Sequence, residues 1–392
     1  MGNSVSSSTM SVSKGKPPMK KILKSSYSRA ENWLATRSIA LYKTKTAIAE
    51  QRGILHKKRI YHDVKWSTEQ EKEFRDYSQR VYGKVISDRW HKLYEAVSGG
   101  FCVEYVPEKF YTVKIEPAMN DYLYTKGLED KSVLESLCSH SAVTFPKTVV
   151  VCSGGRFYDA KRIPITEDAA IDCICSTEDV VMKPTAGSSS GRNIRFIEKP
   201  VEMTRGEIAA FFDEMKPNFI VQHRIIPNQV FSSFNPDSVN TLRVITFIAD
   251  GSIHCAPISF RIGRSGKRVD NIHSGGIVVG VNEDGSLLSQ GYLLGYGDSK
   301  QKFDAHPDTG TVFQGTVLPG VPKIVKAAEE LHGRFPHLGI ISWDFTVNSE
   351  GKPVLIEVNL RGQSVWFPQM VHGKGVFGEY LPTILKENNI CN

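Results

Sequence analysis

Residues 339–359, GIISWDFTVNSEGKPVLIEVN, set two apolar strands on either side of Glu350 and Gly351, a two-residue turn signal. With that turn fixing the register, Ser349 faces Lys352 and, counting inward, Asp344 comes directly opposite Glu357. Side chains alternate along a strand, so Glu357 and Asn359 share a face and three oxygen-bearing side chains converge. Two carboxylates opposed across a ladder repel each other unless a cation lies between them. The all-oxygen set Asp344, Glu357 and Asn359 suits Mg²⁺ or Mn²⁺, with phosphate oxygens completing the shell. The plainer alternative is a solvent-facing hairpin with incidental acids, and the Trp, Phe, Val, Leu and Ile around them count against it.

A second hairpin lies upstream. In VVMKPTAGSSSGRNIRFIE, residues 180–198, a short strand ends at Lys183 and another begins near Asn193. Between them Gly187 and Gly191 bracket Ser188, Ser189 and Ser190, small residues whose backbone N–H groups can close over phosphates while Lys183 supplies a point charge. No Gly-Lys-Ser or Gly-Lys-Thr follows, so the loop is not a Walker A motif. Alone it reads as a flexible turn, and beside an acidic hairpin it reads as a phosphate cradle.

Working outward, residues 105–262 show short strands punctuated by Pro and Gly: EYVPEKFYTVKIEP, FPKTVVVCSGG, EDVVMKP, NIRFIE, FIVQHRI and the hairpin NTLRVITFIADGSIHCAPISFRIG. Helices intervene near residues 131–139, 204–215 and 322–332. Hairpins with helices laid on them predict an α+β fold with mostly antiparallel sheets rather than a βαβ series. A helical run over residues 68–97 opens with Ser67 as cap and Gln70 three residues on, and stops at Ser98, Gly99 and Gly100. Residues 1–18 are Ser, Gly, Pro and Lys rich and read as a disordered tail. Residues 19–104 read as a basic helical region and 105–392 as the catalytic region, with a central lobe over about 125–220 and a C-terminal lobe over about 221–392.

Charge is unevenly placed. Residues 1–60 hold thirteen Lys and Arg against Glu31 and Glu50, a surplus of eleven, so the total of +7 leaves the remaining chain four short of neutral. Within the arm Ile22, Leu23, Tyr27, Ala30 and Leu34 recur at helical steps among lysines and arginines. A basic arm of this kind meets an anionic membrane surface, a charged polymer or nucleic acid, the last being the weakest choice because stacking aromatics are few, or else forms a solvated face. Met1, Gly2 and Ser6 also fit an acylation pattern. No stretch is apolar enough to span a bilayer and the N-terminus is no secretory signal, so the reading is cytoplasmic, peripheral at the inner membrane face if the arm is an anchor. The seven cysteines include no CxxC pair and read as reduced thiols.

The succession YGKVISDRWHKLY, EDKSVLESL, FPKTVVVCSGGRFYD, VVMKPTAGSSSGRNI, VQHRI, VNTLRVIT, DNIHSGGIVVGVN and WDFTVNSEGKPVLIEVNLRG resembles the ATP-grasp enzymes, and most the sugar-transfer-associated branch. The match runs from about residue 82 to 385, and its order and spacing are more specific than any one piece. The resemblance implies two α+β lobes clamping ATP between mostly antiparallel sheets, with Lys131 and Lys183 on the phosphates, the 187–191 loop over them, and Asp344, Glu357 and Asn359 on the metals. It sets Gln222, His223 and Arg224 against adenine, mainly through backbone, although relatives often carry an acid near that hinge where this chain has Gln222. It makes Arg243 the catalytic arginine that stabilises the transferring phosphoryl group, where a salt-bridged strand arginine is the bland alternative. Asn240, Asn271, His273, Gly275, Gly276 and Arg361 are its substrate-binding candidates. The implied chemistry is ADP-forming ligation of a small-molecule or sugar carboxylate to an amine, in surface polysaccharide or sugar-conjugate assembly. Phosphotransfer to a hydroxyl and a non-catalytic ATP-binding scaffold at a membrane are the rivals.

Overall fold

The computed structural model describes residues 19–139, 141–187, 193–264, 266–294 and 300–390. Two compact units divide the chain, residues 1–45 and 46–392. The described part of the first belongs to the helix Met19–His56, which continues into the second. Among the described residues, no helix is long and apolar enough to cross a membrane.

Within the second unit the described strands form two sheets, and every ladder is antiparallel. The first sheet holds β1 (Thr148–Ser153), β2 (Arg156–Asp159), β3 (Pro164–Ile165), β4 (Val180–Pro184), β5 (Arg195–Ile197) and β6 (Phe219–His223), in the order β3-β2-β1-β6-β4-β5. The second holds β7 (Thr241–Ala249), β8 (Ser252–Cys255), β9 (Ile258–Ile262), β10 (Ile277–Val281), β11 (Leu287–Leu294), β12 (Lys300–Phe303), β13 (Ile340–Val347) and β14 (Pro353–Asn359). Its order is β12-β11-β10-β9-β7-β13-β14, with β8 paired to β7.

Sequence periodicity explains most elements. Ser67 and Gln70 close the expected capping box on the helix Thr68–Tyr82, and Thr204 with Glu207 does the same for Arg205–Met215. The helical run read over 68–97 is broken, because Gly83 at φ +69° ends the first helix and a second spans Arg89–Ser98. Thr166 caps a further helix, Glu167–Cys175, that the strand-rich reading passed over. It packs with Arg205–Met215 on the first sheet, where Ile171, Ile174, Ile208 and Phe212 are buried.

One expectation is reversed. EYVPEKFYTVKIEP does not form a strand: residues 108–119 are helical, in the pieces Glu108–Phe110, Tyr111–Ile115 and Glu116–Met119. The buried set Glu108, Tyr111, Thr112, Ile115, Glu116 and Met119 recurs at three- and four-residue steps. That period buries one helical face, and it outweighs the β preference of Tyr, Thr, Val and Ile.

Candidate functional site

The hairpin β13–β14 does oppose Asp344 to Glu357. The route to that register differs from a two-residue turn. Val347 pairs with Pro353, and the amide of Asn348 donates to Lys352 O at 3.0 Å, so the connection is residues 349–351 with Gly351 at φ +78°. That closure alone would shift the acids by one place. An extra residue, Ile356, falls between the Phe345–Leu355 and Asp344–Glu357 pairs and restores the opposition. Ile356 and Glu357 both line the cavity, as the bulge allows.

Strand β7 lies on the other side of β13 and sets Arg243 directly opposite Asp344, so Arg243, Asp344 and Glu357 form one row across three strands. Arg243 Nε donates to Asp344 Oδ1 at 2.6 Å and Nη2 to Oδ2 at 3.2 Å. From β9, Arg261 Nη2 reaches Oδ2 at 2.9 Å, and Lys131 Nζ pairs with Glu357 Oε2 at 2.9 Å. Asn359 Nδ2 points at Asp344 Oδ2 from 3.4 Å. The protein's own cations therefore supply much of the charge that the opposed acids require. Burial by itself would raise the Asp344 carboxyl, but Arg243 and Arg261 outweigh it and hold it down to about 2.

Lys183, on β4 of the other sheet, faces the same cavity and is only 7% exposed. Burial, and then the charge of Lys131, pull its pKa down to about 8, with Glu357 partly offsetting them. Lys131 begins the helix Lys131–Leu137, and its amide donates to Thr185 O at 2.8 Å, which ties that helix to the end of β4. Both lysines and the row of charges border one cavity of about 980 Å³ between the two sheets.

Gln222, His223, Arg224 and Asn271 also line this cavity. The His223 and Arg224 amides already donate to Lys147 O and Asp179 O, while Gln222 Nε2 donates to Pro146 O and its buried Oε1 has no partner among the described residues. Residues 271–276 make a short turn in which Gly276 N bonds Asn271 O and Gly275 N bonds Ile272 O. A Cβ on Gly276 would sit 2.5 Å from Asp270 O, so packing requires glycine there. Gly187 has φ +73°, while Ser188, Ser189, Ser190, Gly191 and the side chain of His273 lie outside the described residues.

Asn240 and Arg361, like Gly187, Gly275 and Gly276, are not among the residues that line the cavity. Asn240 is fully buried at φ +52°: its amide donates to Phe231 O and Asn235 O and accepts from Ser238 Oγ and Gly263 N. All its bonding capacity is spent on local architecture. Arg361 lays its guanidinium over Tyr122, 4.8 Å from the ring centre.

Sequence reasoning missed Arg261 and three acids, Glu108, Glu116 and Glu129, that collar the segment after β14. Glu129 Oε1 accepts from Leu360 N and Arg361 N, Glu116 from Gly362 N, Gln363 N and Tyr122 Oη, and Glu108 from Val365 N. Gly362, Gln363 and Ser364 from that segment form part of the cavity wall. Burial pushes Glu116 up to about 7 against these donors. The helical spacing of residues 108, 112 and 116 was the available signal.

The description sugar-transfer associated ATP-grasp fits a family model that matches residues 111–385. The chain belongs to this family. ATP-grasp proteins work with ATP and divalent cations, and the oxygen donors here suit such ions: Glu357 is one-quarter exposed and Asn359 lines the cavity. Asp344 is engaged by both guanidiniums, Arg243 and Arg261.

Among solved structures, this ATP-grasp chain is similar to the VanG D-Ala:D-Ser ligase from Enterococcus faecalis, at 15% identity over 69% of this chain and 63% of that one, TM-score 0.39. An L-amino acid ligase from Bacillus licheniformis shares 13% identity over 69% of this chain and 49% of that one, TM-score 0.37. The D-cycloserine synthetase DcsG shares 14% over 70% and 74%, TM-score 0.38. The chain thus spans less than two thirds of the first two. No curated protein matches it.

Proposed function

We propose that this chain is an ATP-dependent ligase that activates a carboxylate as an acyl phosphate for attack by an amine, forming ADP. The observation that carries the reading is the row Arg243–Asp344–Glu357, with Lys131 and Arg261 paired onto it and Lys183 buried in the same cavity. Around this row four cationic side chains meet two acids, a local positive surplus that suits phosphate, while Glu178, Asp179, Asp237 and Asp270 line the rest of the cavity wall with Arg224 and Arg268.

In this reading a substrate carboxylate oxygen bonds to the γ-phosphorus as the bond to the β–γ bridging oxygen breaks and ADP leaves. An amine nitrogen then attacks the acyl carbon, phosphate departs and the amine proton passes to water. No enzyme nucleophile is needed. Lys131, Lys183, Arg243 and Arg261 position the phosphates and offset charge as it moves between oxygens. Glu357, Asn359 and Asp344 are the residues that would hold divalent cations, which would supply further neutralisation of the phosphates. The substrates in this reading are sugar acids, or amino acids joined to amino sugars, in surface polysaccharide or sugar-conjugate assembly, and the family's association with sugar transfer is what supports a sugar partner.

The test is ADP release with Mg²⁺ across carboxylate and amine pairs, followed by phosphorus NMR. Free phosphate is expected, and a phosphorylated product would assign phosphotransfer instead. Glu357→Gln is expected to remain folded with turnover at least about 100-fold lower. A fully active Glu357→Gln protein removes the basis of the proposal.

A further inference from the structure

We infer that the Asp270 carboxylate binds the acceptor as an ammonium ion and takes its proton, so that the acceptors used are aliphatic amines that arrive charged. The inference rests on the ligase reading and adds the residue that serves its second step. Asp270 lines the cavity between the sheets and is half-buried. Thr241 on β7 is paired directly with Arg261 on β9, and it shares a strand face with Arg243 two residues on. Arg261 donates to Thr241 Oγ1 from Nε at 3.0 Å and from Nη2 at 2.6 Å. With guanidinium donors on its lone pairs, the hydroxyl sends its one proton onward, to Asp270 Oδ2 at 2.5 Å. A continuous chain therefore runs from Asp270 through Thr241 and Arg261 to Asp344. At its outer end Asp270 Oδ1 has no hydrogen-bond partner, and Asp270 makes no ion pair, among the described residues.

The other acids of the wall are placed differently. Asp179 accepts from Lys199 N at 3.0 Å and lies 3.7 Å from Arg224, and with Glu178 it precedes β4 on the sheet opposite Arg243. Asp237 is exposed, and among the described residues no hydrogen bond ties its side chain to the charged row. Thr241 stands one same-face step from Arg243, so the bond to Asp270 lies roughly 7 Å along β7 from the guanidinium facing Asp344. An attacking nitrogen must come within about 3–3.5 Å of the acyl carbon, which is one oxygen removed from the transferred phosphorus. A free carboxylate oxygen at that remove attracts a cation and repels a second anion, which suits an ammonium. Asp270 accepts one proton from it and passes that proton to water. The freed lone pair forms the C–N bond, the C–O bond to phosphate breaks, and the departing phosphate carries off the second nitrogen proton, leaving the amide.

Asp270→Asn keeps an oxygen for the Thr241 proton and loses the charge and the basicity. Turnover is measured with two kinds of acceptor: hydroxylamine, which is uncharged at neutral pH, and a panel of amino sugars and amino acids, which carry ammonium groups there. With hydroxylamine the variant should keep hydroxamate formation and the KM for ATP within about threefold of wild type. With the ammonium acceptors kcat/KM should fall on the order of 100-fold, with the acceptor KM raised. Equal losses with both kinds of acceptor, as a purely structural Asp270 predicts, would overturn the inference, and so would an undiminished rate with the ammonium acceptors. A wild type that uses hydroxylamine but no member of the panel would overturn it while leaving the ligase reading intact. A wild type inactive with hydroxylamine and every carboxylate removes both. Should Asp270→Asn not fold, Asp270→Glu is read by the same comparison, its displaced carboxylate raising the KM for the ammonium acceptors and not the rate with hydroxylamine.

Discussion

Replacing Lys183 with methionine should make the protein more stable and less able to bind nucleotide at once. Lys183 is 7% exposed and, among the described residues, makes no ion pair, while its pKa falls from an ordinary 10.5 to about 8. That fall corresponds to roughly 3 kcal/mol against the charged folded form at neutral pH. Methionine keeps most of the length and discards the charge. Allowing for imperfect packing, Lys183→Met should gain roughly 1–3 kcal/mol in urea unfolding without nucleotide, and should lose the stabilisation that ATP with Mg²⁺ gives the wild type. The pH dependence has a definite sign. Between pH about 8 and 10.5 the unfolded chain keeps the Lys183 proton and the folded chain has released it, so this lysine makes stability rise with pH there. Tyrosines titrate in the same window, so the informative quantity is the wild type minus the variant, which should climb toward zero from its negative value at pH 7. A variant no more stable than wild type, or one with an undiminished nucleotide shift, refutes the reasoning that the fold bears this cost for the sake of a phosphate.

Asp344→Asn removes the carboxylate with which both buried guanidiniums, Arg243 and Arg261, are paired, and should cost about 3–5 kcal/mol in urea unfolding, with partial recovery when Arg261→Gln is added. A double-mutant cycle showing no coupling would break that account. Glu116→Gln replaces a carboxylate that accepts three donors with an amide that cannot accept them all, and should cost about 1–3 kcal/mol. Because the folded Glu116 carboxyl titrates near 7 rather than 4.5, the folded state holds the extra proton in that window, so its contribution to stability falls as pH rises from about 4.5 to 7. The variant's unfolding curve should lack that component of the slope.

How far each feature was legible follows from the range of the interaction behind it. Asp344 and Glu357 are thirteen residues apart on one hairpin, so local pattern was enough to bring them together, but their direct opposition follows only because the bulge at Ile356, which carries no sequence mark, offsets a connection one residue longer than the turn signal implies. The helix caps at Ser67 and Thr204 are likewise set by residues within one turn. Arg261 had no such local mark: it reaches Asp344 because β9 and β13 both flank β7, a choice of strand order that no short window contains. The same holds for Glu108, Glu116 and Glu129, whose partners at 360–365 lie more than two hundred residues away. The residues by themselves determined which side chains can bear phosphate and metal chemistry and where short-range hydrogen bonds start and stop the helices. Only the tertiary structure decided which buried charges neutralise one another, because the electrostatic energy of a buried ion depends on what the rest of the chain places within a few ångströms of it.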